Sequence, residues 1–122
     1  MLYNTVSMYR GDTFKGTFLI NFGTEFEPNY YELAKEDKLY VGIREPNAPF
    51  DDSIIRKTYA QESVEYFEGA IVLTLDPKDT EYLIPGTYYL CAKLLQPANS
   101  TNNPSEKDVV TTVLRDTLFY IL

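Results

Sequence analysis

The sequence predicts an all-β domain, an antiparallel sandwich of about seven to nine short strands. Three observations predict it. Apolar and polar residues alternate with period two in one segment after another. No stretch of helix length sustains the i, i+3, i+4 spacing, and Gly, Pro, Asn and Asp punctuate the chain between the alternating segments. At 122 residues there is room for one domain, residues 1–122, around one core. Hydrophobic residues make up 44% and aromatics 15%, which suits a packed interior and excludes a disordered chain.

The strands follow in order. In "TFKGTFLINF" the residues Phe14, Gly16, Phe18, Ile20 and Phe22 share one face, expected inward, and Lys15, Thr17, Leu19 and Asn21 share the other. "FGTEFEPNYYELAKED" is polar and broken by Pro28, so it predicts a long crossing between sheets of the kind a Greek key uses. "KLYVGIRE" turns Leu39, Val41 and Ile43 inward, and "GAIVLTL" does the same with Ile71, Leu73 and Leu75. The loop "REPNAPFDD" lies between them, exposed by its two prolines. The shorter, more polar "SIIRKTYA" and "SVEYFE" are expected at sheet edges.

"DPKDTEYL" predicts one helical turn, with Asp76 as N-cap and Pro77 at the first helical position, joining two sheets. In "IPGTYYLCAKLL" the phase that buries Tyr88, Leu90, Ala92 and Leu94 is preferred, because the other phase carries Lys93 inward. Cys91, the single cysteine, is then structural or idle. "QPANSTNNPSEKD" is the least hydrophobic stretch and is expected to be a disordered tip. "VVTTVLRDTLFYIL" closes the chain, bent by a bulge near Arg115 and Asp116. This set of strands fits an immunoglobulin-like sandwich with Greek-key connections, a small barrel being the rival.

Composition also bounds function. The formal net charge of −7, from 18 acidic against 11 basic residues, repels phosphate backbones and anionic lipid, so neither nucleic acid nor membrane is an expected partner. "MLYNTVSMYR" lacks the basic start and apolar run of a signal peptide. Histidine is absent, which removes the side chain best suited to proton transfer near neutrality and the usual metal ligand. A lone cysteine forms no internal disulfide and no thiolate cluster. Asp51 with Asp52, and Asp76 with Asp79, are expected to be solvated loop acids rather than a calcium site. No cofactor, catalytic residue or metal ligand is expected. A hydrolase built on paired carboxylates is the enzymatic alternative. The sequon at Asn99, Ser100 and Thr101 is idle without secretion.

Arg10, Gly11 and Asp12 spell the tripeptide of integrin-binding loops. Chance alone places it in roughly one of fifty chains this long, so its neighbours decide. Pressed between "YNTVSMY" and "TFKGTFLINF", it has room only for a tight link: Gly11 supplies a positive φ and Asp12 accepts a backbone N–H. Arg10, Gly11, Asp12 and Thr13 are therefore expected to form a structural turn.

"YRGDTFKGTFLINF", "LYVGIRE", "GAIVLTLDPKDTEYLIPGTYYLCAKLL" and "TTVLRDTLFYIL" together resemble the N-terminal domain of phage baseplate upper proteins. The most specific piece is the strand-connection motif Leu75, Pro77, Asp79, Thr80, Leu83, Pro85, Gly86 and Tyr88. The resemblance implies an immunoglobulin-like sandwich and a non-enzymatic structural protein of a phage or prophage virion, docking in a tail or baseplate. The resemblance also implies production in the bacterial host cytoplasm, with protein partners and homo-oligomerisation as the expected associations. Family members continue past the last strand; this sequence stops at Leu122, which turns the expectation from host recognition toward an adaptor or decoration role. The alternatives are an adhesion or carbohydrate-binding module that uses exposed aromatics or the tripeptide, and a capsid decoration or head-fibre protein.

Overall fold

The structure, a computed structural model, describes residues 5–122; residues 1–4, the start of the segment read for a leader, lie outside it. Among the described residues eight strands form two sheets: β1 (Thr5–Met8), β2 (Phe14–Phe18), β3 (Lys38–Arg44), β4 (Ile55–Tyr59), β5 (Tyr66–Phe67), β6 (Ala70–Leu75), β7 (Gly86–Gln96) and β8 (Val109–Ile121). The larger sheet has the order β1-β8-β7-β3-β4 and the smaller β2-β6-β5. The chain changes sheet after β1, β2, β4 and β6, so the strands wind around the core as a Greek key. The architecture is an all-β sandwich with the strand arrangement of an immunoglobulin domain.

The interior follows the alternation in sequence. Leu39, Val41 and Ile43 of β3 face Ile71, Leu73 and Leu75 of β6, all nearly or fully buried, and Leu90, Ala92 and Leu94 of β7 complete the layer. Phe119 of β8 is fully buried and meets Phe14 edge-on, with ring centroids 5.4 Å apart. A short turn of positive φ at Glu68 and Gly69 folds β5 back on β6. β4 and β5 lie at sheet edges, where their polarity is tolerated.

Three expectations are corrected. The regular part of the second strand ends at Phe18, so Phe22 is 44% exposed, packed edge-on against Tyr31 rather than in the core. The sandwich is not wholly antiparallel: β1 pairs with β8 in parallel, Thr5 opposite Leu118 and Met8 opposite Ile121. That pairing covers the C-terminal half of β8, which leaves its N-terminal half as the open edge. Finally, residues 97–108 are not a loose tip. Asn103, 5% exposed, donates to the carbonyls of Gln96 (2.9 Å), Pro97 (3.2 Å) and Lys107 (2.8 Å) and accepts from Ser105, so one amide ties the loop into a knot.

β8 carries more residues than its partner. Leu90 lies opposite Thr117 and Ala92 opposite Leu114, so Cys91 alone faces Arg115 and Asp116; a second extra residue, Val113, follows between the Ala92 and Lys93 pairings. The bulge turns Arg115 and Asp116 together onto the outer face of the sheet.

Candidate functional site

The two motifs singled out in sequence meet at one corner of the sandwich. Residues Arg10 to Asp12 form a turn closed by the Asp12 N–H donating to the Tyr9 carbonyl (3.2 Å), with Gly11 at φ 81°. The Asp12 carboxylate accepts nothing among the described residues, contrary to the role expected for it. The turn is instead fixed by the strand-connection motif. The Gly11 N–H donates to Thr80 Oγ1 at 2.9 Å, and Arg10 Nη1 donates to the Leu83 carbonyl at 3.3 Å.

On the other side of the corner, residues Pro77–Thr80 make a single helical turn, α1, with Pro77 first. Asp79 reaches back to accept from the Asp76 N–H (2.7 Å) and also binds Lys57 Nζ at 2.9 Å, which clamps edge strand β4 to the corner. Burial on its own raises the Asp79 carboxyl; the Lys57 ammonium and the Asp76 N–H outweigh it and hold the group below its ordinary value. Tyr88, buried at the start of β7, donates to the Ile84 carbonyl at 2.5 Å in the manner of a tyrosine corner. Leu75 and Thr80 are fully buried, whereas Tyr82 (89%) and Ile84 (79%) stand in solvent beside Tyr9 (65%) on the docked turn. Within the motif, Leu75 and Tyr88 lie in the core, Pro77 and Asp79 start the helical turn, and Thr80 and the Leu83 carbonyl hold the Arg10 to Asp12 turn.

The outer face of the larger sheet is cationic in an otherwise acidic protein. A groove of about 570 Å³ runs past Tyr40, Phe50, Arg56 and Lys93. Phe50 lies over Gly42, where a Cβ would sit 2.8 Å from its ring and 2.4 Å from Ser53 Oγ, so only glycine admits the loop this close. Lys93 Nζ stands 4.9 Å from the Phe50 ring centroid, and Arg44 stacks 5.1 Å from that of Tyr89 while binding Asp116 at 2.5 Å. Cys91 is buried among these groups; burial, then the Asp116 charge, push its thiol up, away from reactivity.

A third feature sits at the opposite end, where β7 finishes and β8 begins. Asp37, fully buried, accepts from the Ala34 N–H (2.9 Å) and from the Tyr31 hydroxyl through one oxygen, and its other oxygen has no partner among the described residues. The same Tyr31 hydroxyl accepts from Gln96 Nε2 (3.2 Å) and Asn102 Nδ2 (2.9 Å). Burial and then the Asp37 bond raise its pKa, so it remains a protonated hub. Above it lies a groove of about 500 Å³, bounded by Phe22 and Glu32. Sequence reasoning missed this cluster, whose members lie up to 71 residues apart. The available signal was an Asp immediately before a strong strand, a poor place for a solvated acid.

Among the described residues no three of His, Cys, Asp and Glu gather where they could hold a metal ion, and no helix is long and apolar enough to cross a membrane. No family model, curated protein or solved structure matches the chain.

Proposed function

We propose that the chain is a non-enzymatic assembly protein of a phage or prophage particle, a tail or baseplate component that docks through the corner built by its two motifs. The observation that carries this reading is the corner itself. Tyr9, Tyr82 and Ile84 are held in solvent on a scaffold fixed by the Gly11 to Thr80 bond, the Asp79 cap and the Tyr88 to Ile84 bond. Two tyrosines and an isoleucine on rigid backbone are what a protein interface favours, because little side-chain or loop entropy is lost on docking. The resemblance to baseplate upper proteins includes the scaffold residues Gly11, Asp79, Thr80 and Tyr88 of this corner.

The tripeptide is poorly placed for integrin recognition. Its Arg10 guanidinium is turned to the Leu83 carbonyl and its Gly11 backbone to Thr80, so the loop lies against the domain rather than projecting from it. The test is mass spectrometry of density-gradient-purified particles from cells that carry the gene. The proposal expects the chain in the particle band at a fixed ratio to the other tail proteins. Finding it only in the soluble fraction overturns the proposal.

A further inference from the structure

We propose that the groove over Tyr31 is a binding site for a neutral oligosaccharide. It lies at the far end of β7 from the docking corner, about 33 Å away for a strand of 11 residues at roughly 3.3 Å per residue, so both ends can be used at once.

The walls are rigid. One is the hairpin of residues 21–30, in which Phe22 and Asn29 are joined by a backbone bond of 2.9 Å and Asn21 Oδ1 accepts from both Gly23 (2.8 Å) and Asn29 (2.9 Å). Gly23 is obligatory there, since a Cβ would meet the Glu27 carbonyl oxygen at 2.2 Å. The other wall is the loop tied by Asn103, which carries Asn102. A pre-formed site of this kind loses little entropy when it is filled.

Its chemistry selects the ligand. Tyr31 draws the NH₂ groups of Gln96 and Asn102 to its own oxygen, which fixes both amides. Neither amide carbonyl oxygen accepts a hydrogen bond among the described residues, and exposed Glu32 adds a carboxylate. The groove therefore presents the open amide oxygens of Gln96 and Asn102 and the Glu32 carboxylate beside the Asn29 amide and the Thr111 hydroxyl, a mixture that suits a ligand rich in hydroxyl groups. The exposed ring of Phe22, held edge-on to Tyr31 at 5.3 Å, gives the apolar surface against which the C–H face of a sugar ring stacks. No Lys or Arg lines the groove, and Glu32 together with the chain's net charge of −7 repels phosphate, sulfate and uronate groups. The volume suits a short oligosaccharide.

The experiment is a ¹⁵N NMR titration of the whole chain with cellopentaose, maltopentaose, mannopentaose and N-acetylchitotetraose, and with a heparin oligosaccharide as the anionic control. At least one neutral sugar is expected to shift the side-chain NH₂ signals of Gln96 and Asn102. Phe22→Ala, at an exposed position, should weaken that binding at least about tenfold. Phe67→Ala, 62% exposed on β5, should leave it unchanged. The proposal is overturned if no neutral sugar binds at millimolar concentration, if only the heparin fragment binds, or if Phe22→Ala, folded by its own spectrum, binds like the parent chain.

Discussion

Replacing Thr80 by Val tests whether the Arg10 to Asp12 turn and the strand-connection motif are one unit. The two side chains have nearly the same shape, a methyl group standing in place of the hydroxyl, so the fully buried site opens no cavity and loses one acceptor. That acceptor serves the Gly11 N–H at 2.9 Å, and Gly11 is partly buried. A buried donor left without an acceptor costs about 1–3 kcal/mol, and the partial exposure of Gly11 places this case near 1.5 kcal/mol. At roughly 2.1 cal/mol/K of unfolding entropy per residue, 1.5 kcal/mol lowers Tm by about 6 °C. Urea unfolding followed by far-UV circular dichroism measures the change. Gly11→Ala supplies the second arm, since its φ of 81° costs a β-carbon about 1–2 kcal/mol with no steric contact to confuse the result. Because both changes act on one hydrogen-bonded turn, the double variant should fall short of the sum by at least about 0.5 kcal/mol. A Thr80→Val chain within about 0.3 kcal/mol of the parent, or two changes that simply add, would refute the reasoning.

Other consequences are as direct. Asp79 has a depressed folded pKa, so its contribution is complete above its unfolded value of about 3.9 and is lost as pH falls through the folded one. The stability gap between the parent and Lys57→Met, about 1 kcal/mol for this partly buried pair, should hold down to roughly pH 5 and then narrow. A gap of constant size through the acid limb contradicts the clamp. Gly42→Ala should destabilise by about 1–3 kcal/mol, because Ser53 and Phe50 must move off the sheet; an unchanged urea midpoint would show that the loop does not pack there. A disulfide reagent should label Cys91 in the native chain at least about a hundredfold more slowly than in denaturant, and equal rates would place the thiol at the surface.

The fold was legible where one local rule governed. Strands β3, β6 and β7 each bury the face that period-two alternation assigns, and Asp76 with Pro77 opens the helical turn between the sheets. The bulge at Arg115 and Asp116 was readable because a charged pair interrupts an apolar run. What stayed hidden depends on contacts across the chain. Phe22 continues the alternation, but the strand has ended and the Asn21 side chain redirects the backbone into a hairpin. The polar loop at 97–108 has the composition of a loose tip, yet one buried amide organises it. The docked turn was foreseen as a turn, while its bonds to Thr80 and Leu83 span 69 and 73 residues and have no signature in sequence. The Tyr31 groove is assembled in the same long-range way.

The central claim is that the corner docks the chain into a particle. The measurement that tests it most directly is the incorporation of Ile84→Asp against the parent chain, both produced in the same cells and quantified by mass spectrometry in purified particles. Ile84 is 79% exposed, so the aspartate leaves the fold intact while placing a charge in the proposed interface. The variant is expected to be folded, soluble and nearly missing from the particles. Incorporation equal to that of the parent would contradict it.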